Sequence, residues 1–189
     1  MIVSFENWSQ PVSESEAHMQ IRIEVFTTDY LITGNLSSPD ERLSDVLNFK
    51  TEASLVLTDV EVARLLAMGK TPPDHFVDAR IEKHLILFAS PIEQDLTQKS
   101  IYRRATREPH AVTVLLRAFE VEGTIHLTER LEIRHVLVGR QDDFIALTRA
   151  TATYALHPGV TFSRDIIVFN KNQASFIGKR VPAGVPASP

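Results

Sequence analysis

Apolar and polar residues alternate at period two through most of the chain. Ile21, Ile23 and Val25 alternate with Arg22 and Glu24, and Tyr30 and Ile32 resume beyond Thr28–Asp29. A strand sends successive side chains to opposite faces. The pattern therefore predicts a hairpin with one buried face, ending at Gly34, where the missing Cβ permits a bend or bulge. Ser38, Pro39 and Glu41 have the order of a helix start, and Leu43, Val46 and Leu47 follow at helical spacing, so a short helix ending near Asn48 is predicted. Leu55-Val56-Leu57 predicts a buried strand.

Residues 58–69 admit two readings. Thr58 and Glu61 fit a capping box closed by Gly69, whereas Val60 and Val62 alternate with Asp59 and Glu61 as in a strand. The stretch Thr148–Tyr154 alternates cleanly and is rich in Thr, which favours strand in both places. Lys70–Asp74 predicts a loop, residues 80–88 a strand with its turn, and Ser90–Pro91 a break. Further strands are predicted over Val112–Leu116, Phe119–Leu127, Phe144–Tyr154, Asp165–Phe169 and Ala174–Ile177. Gln141–Asp143, His157–Gly159 and Asn170–Asn172 supply turns between them.

The chain repeats itself. Gly34, Glu41-Arg42-Leu43, Leu55-Val56-Leu57-Thr58 and Leu85–Phe88 recur in order as Gly123, Glu129-Arg130-Leu131, Ile145–Thr148 and Ile166–Phe169, at offsets of 89, 88, 90 and 81. Repetition sets the unit of folding. The expected organisation is mainly β. An irregular arm (1–18) precedes a first small barrel (19–93) containing the short helix. A basic linker (94–110) with room for a helical turn leads to a second barrel (111–178) and a flexible, proline-rich tail (179–189).

The order of elements resembles the Sm-like fold, a small, strongly bent five-stranded barrel. Gly34, Asp45-Val46-Leu47-Asn48 and Leu55–Glu61 look like that family's first motif with an insertion. Ile166–Phe169, the Asn170–Asn172 turn and Ala174–Ile177 look like its second. The resemblance implies two tandem barrels and a habit of ring or strand-edge assembly, so that a trimer would place six barrels in a ring. RNA-binding members carry an Arg-Gly or similar polar pair in the second motif. Phe88-Ala89 and Phe169-Asn170 stand there instead, and Arg134-His135-Val136-Leu137 lacks the first-motif Asn. An RNA pocket is therefore not implied.

With 189 residues, each half is small enough that packing between the halves, or between chains, is expected to help. The absence of cysteine excludes disulfides, thiolate metal sites and cysteine nucleophiles. The start Met1–Trp8 lacks the basic-then-apolar pattern of a leader, and no apolar run approaches the ~20 residues of a membrane span. A cytoplasmic location is expected. Charge is uneven. Residues 1–98 hold 16 acidic against 7 basic residues, a net of −9, and residues 99–189 hold 8 against 13, a net of +5. Such asymmetry suits head-to-tail contact, an anionic partner, or simply a separate soluble surface on each half.

No catalytic, cofactor or metal motif is present. His126 and His135 flank Glu129 and Glu132 and would need neighbouring strands to converge on a metal. The acidic pairs Asp74/Asp78 and Asp142/Asp143 are expected in solvated loops, where their pKa values are not separated. Seven glycines include no Gly-x-Gly-x-x-Gly or Walker-type loop. The candidates for phosphate contact are Lys99, Tyr102, Arg103, Arg104 and Arg107 in the linker, with Lys171, Lys179 and Arg180 as a smaller patch. Two functions follow as expectations: a non-enzymatic interaction or scaffold protein assembling through strand edges, or a nucleic-acid-binding protein using these basic residues.

Overall fold

The computed structural model describes residues 20–37, 42–92, 107–128, 132–139 and 141–180. Ten strands form one antiparallel sheet. They are β1 (Gln20–Phe26), β2 (Tyr30–Ser37), β3 (Ser54–Arg64), β4 (Asp74–Glu82), β5 (Phe88–Pro91), β6 (Arg107–Leu116), β7 (Phe119–Thr128), β8 (Phe144–Tyr154), β9 (Thr161–Asn170) and β10 (Ala174–Lys179). Their order across the sheet is β10-β6-β7-β8-β9-β5-β1-β2-β3-β4. The order divides into two five-strand units of one connectivity. In each, four strands form a meander and the fifth returns to pair with the first: β5 with β1, and β10 with β6. A short helix separates the second and third strands of each unit, α1 (Leu43–Asn48) in the first and α2 (Val136–Gly139) in the second.

Both units bend at corresponding places. The β2–β3 register shifts between Thr33 and Asn35, around Gly34; the β7–β8 register shifts between Glu122 and Thr124, around Gly123. A bulge at these points bends the strand and sharpens its twist. A side chain there requires its neighbours to give way. A Cβ on Gly34 would lie 3.1 Å from Leu57 Cβ, and one on Gly123 would lie 3.0 Å from Ala150 Cβ. Across from each bulge a non-glycine residue takes positive φ, Asp59 and Arg149, both at 50°.

Several boundaries differ from the sequence expectation. α1 begins at Leu43 after Arg42, without a side-chain cap, while the predicted cap residues Ser38–Glu41 lie outside the described residues. The ambiguous stretch is strand through Arg64, then a 3₁₀ turn at Leu65–Ala67. β4 starts at Asp74, so Asp74 and Asp78 sit on a strand, not in a loop. All but two of its residues are exposed, so it carries no alternating signal. Ser90–Pro91 does not break a strand but belongs to β5, with Pro91 opposite Ile23. β6 starts at Arg107, so 107–110 are paired strand residues rather than linker. The fourth repeat anchor, at offset 81, joined strands that are not counterparts: Phe88 lies on β5 and Phe169 on β9, and they face each other.

The core has two clusters that exchange residues across the β5–β9 boundary. One is built from Val114, Phe119, Val121, Leu147, Tyr154 and Phe169 of the second unit, yet it takes in Phe26, Leu87 and Phe88 of the first. The other is built from Ile23, Val25, Leu55, Leu57 and Ile81, and takes in Phe144 and Val168 of the second unit. Phe26 stacks on Phe88 at 4.2 Å between ring centroids, and Phe88 meets Phe119 edge-on at 4.9 Å. Burying each such ring contributes ~1.5–3 kcal/mol, and each aromatic pair adds ~0.5–1.5 kcal/mol.

Candidate interaction edges

The union of β5 and β9 joins the two units. Phe88 faces Phe169 and Ala89 faces Val168, while Asn170 N donates to Leu87 O at 2.9 Å. Polar groups close its margins. Arg164 Nε and NH2 each donate to a Glu24 carboxylate oxygen at 2.7 Å, a planar two-bond fit that a lysine does not provide. Glu24 holds the Arg164 guanidinium above its usual pKa, mainly through these hydrogen bonds. Ser90 Oγ donates to Ile166 O at 2.7 Å. Asn48 Nδ2 donates to Phe144 O and its Oδ1 accepts from Phe144 N, both at 2.8 Å. Buried Asn170 donates to the carbonyls of Lys83 and Ile86.

Lys83 supports this boundary from below. Its Nζ donates to Val46 O at 2.8 Å and Phe49 O at 3.0 Å, so it satisfies carbonyls at the C-terminal end of α1. Burial lowers its pKa below the usual lysine value.

The sheet has two outer edges. Among the described residues nothing pairs with the free side of β4 or of β10. β4 exposes Asp74, Asp78 and Glu82 together with Phe76 and Val77. A shallow depression beside it is lined by Asp59, His75, Phe76 and Val77. β10 exposes Phe176 and Lys179, and the Phe176 ring lies over Gly178, where a Cβ would collide with it. Charge on an edge strand ordinarily blocks unwanted pairing. Here the charge on one edge is opposite in sign to that on the other.

No family model, curated protein or solved structure matches this chain.

The structure does not gather the predicted basic residues into one surface. Lys99, Tyr102, Arg103 and Arg104 lie outside the described residues. Arg107 is exposed at the start of β6. Lys171 sits before β10, largely buried, with its Nζ 3.8 Å from Asp143. Arg180, beyond the other end of β10, donates to Glu122. Lys179 is the exposed cation of that strand. Of the other chemistry-bearing residues, His126 Nε2 is bonded to Thr148 Oγ1 at 2.9 Å, and Asp143 accepts from Asn172 Nδ2 at 3.1 Å. His135 is exposed, and among the described residues no three His, Asp or Glu side chains converge on a metal-sized site. None of the described helices is long and apolar enough to cross a membrane.

Sequence reasoning missed the residues that make the boundary: Phe26, Phe88, Glu24 and Arg164. A signal was present. Lys83 and Phe88-Ala89 recur as Lys171 and Phe176-Ile177 at one offset of 88, which aligns β5 with β10.

Proposed function

We propose that the chain is a tandem pair of small, Sm-like barrels that acts as a non-enzymatic interaction or scaffold protein, assembling through its strand edges. The observation that carries this reading is the β5–β9 pairing. It is an edge-to-edge union between two units of like connectivity, and among the described residues it leaves one unlike edge open at each end of the sheet. Derivation of the units from one duplicated barrel is supported by the paired bulges at Gly34 and Gly123 and the paired positive-φ residues Asp59 and Arg149.

An open edge presents unpaired backbone donors and acceptors, and pairing with another strand satisfies them. Because the two edges differ, joining them is head-to-tail, which gives a closed ring where the rotation closes and an open filament where it does not. Light scattering across a concentration series tests the reading. The expected result is a mass that rises with concentration to a multiple of the 21.2 kDa chain. A constant 21.2 kDa up to tens of micromolar overturns it.

A further inference from the structure

We propose that β10 of one copy docks on β4 of a second copy in the register of the internal β5–β9 union. Phe176 then faces Ile81, Ile177 faces Arg80, and Lys179 faces Asp78. The inference rests on the strand-edge reading above and adds its partner, its direction and its register.

The register follows from which strands are counterparts. Val25 faces Ala89 and Phe26 faces Phe88; in the second unit Val114 faces Ile177 and Leu115 faces Phe176. β10 is therefore the counterpart of β5. Ile145 faces Phe169 and Ala146 faces Val168; in the first unit Leu55 faces Ile81 and Val56 faces Arg80. β4 is therefore the counterpart of β9. Transferring the observed pairs Phe88↔Phe169 and Ala89↔Val168 to these counterparts gives Phe176↔Ile81 and Ile177↔Arg80. Extending that register two residues past the pairs of the internal union, where Pro91 and Ile166 hold these places, brings Lys179 opposite Asp78.

Three observations fit a second copy at this edge. Phe26 and Phe88 leave their own unit and are buried in its neighbour's core. Their counterparts Leu115 and Phe176 remain 38% and 48% exposed, an apolar pair beside which the described residues place no further unit. On the receiving side Tyr30, 37% exposed, stands where Phe119 stands in the internal union: Phe119 faces Tyr154, and Tyr30 faces Arg64. The charges agree as well, since Lys179 on β10 falls opposite Asp78 on an edge that also carries Asp74 and Glu82.

The new union is more polar than the internal one. Arg64 and Asp74 hold the places of Tyr154 and Phe162, and Arg80 that of Val168. Arg80 can lay its aliphatic stem along Ile177 with its head in solvent. Contact between copies is accordingly weaker than contact between units, and it dissociates on dilution.

The chain has no cysteine, so introduced thiols are the only ones present. Chains carrying Asp78→Cys, distinguished by an affinity tag, are mixed with chains carrying Lys179→Cys and mildly oxidised. Directly opposed residues of an antiparallel pair lie about 4.5–5.5 Å apart at Cα, within disulfide reach. The expected product is a mixed disulfide dimer. Val77→Cys, which points to the other face, gives none with Lys179→Cys.

Charge exchange supplies a second readout. Lys179→Glu weakens assembly about tenfold by placing like charges opposite each other. The double variant Asp78→Lys/Lys179→Glu restores it. A wild-type protein that assembles while the 78–179 disulfide fails to form, or while the exchanged pair fails to restore assembly, overturns the register and leaves the strand-edge reading standing. A strictly monomeric wild type overturns both.

Discussion

Gly34 and Gly123 sit where each unit bends, and β3 and β8 approach them so closely that a side chain there requires its neighbours to give way. A methyl group on Gly123 would press on both Leu147 and Ala150, whose Cβ atoms would lie 3.1 and 3.0 Å away. Gly123→Ala should therefore cost about 1–3 kcal/mol, the range for overpacking, read as a lower urea midpoint with an unchanged slope. A wild-type midpoint would show that the bulge does not need the missing Cβ. Tyr154 makes the opposite case. It is fully buried, and its hydroxyl has no hydrogen-bond partner among the described residues. Burial raises its pKa, with Asp29 adding to the effect. Removing an unpartnered hydroxyl relieves a desolvation cost of about 1–3 kcal/mol. Tyr154→Phe should thus unfold at a temperature equal to or above wild type, and a clear fall would mean that the hydroxyl is bonded.

At the scale of elements, the β5–β9 union carries the connection between the units. Phe88→Ala removes a ring that stacks on Phe26 and meets Phe119, and it should cost ~3–5 kcal/mol, as large-to-small aromatic changes in cores do. Both units should lose stability together, since the ring belongs to the first by sequence and to the second by burial. Two separate unfolding transitions, with only one moved, would argue against a shared core. Much of this layer was legible beforehand. β8 alternates because one face is buried, and the apolar run of β3 is visible for the same reason, whereas β1 buries Ile23, Glu24, Val25 and Phe26 on both faces and β2 buries Leu31 in place of the expected Tyr30 and Ile32. β4 was not legible, because six of the seven residues from Asp74 through Arg80 are exposed and leave no period to detect. Pro91 misled in another way: proline punctuates a central strand, but β5 meets β9 only through Phe88 and Ala89, so Pro91 breaks no bond there. The boundary itself was hidden for a general reason. Alternation tells which face of a strand is buried, and says nothing about which strand lies beside it.

For the whole molecule, the uneven charge acquires a location. The acidic first half ends the sheet with Asp74, Asp78 and Glu82 on β4, and the basic second half ends it with Lys179 on β10. Attraction between exposed edges weakens as salt screens it, with a Debye length of ~8 Å at physiological ionic strength. Assembly should therefore weaken from 50 mM to 500 mM salt, while the unfolding temperature of the dilute chain changes little, because its internal union is mainly apolar. The central claim is that the open edges β4 and β10 close on other copies. Amide hydrogen exchange at high and low protein concentration addresses it most directly. The account predicts that the outward-facing amides of β4 and β10, those not bonded to β3 or β6, exchange fast when dilute and gain protection when concentrated, while β5 and β9 stay protected throughout. Equal and rapid exchange of those outward-facing amides at every concentration would contradict it.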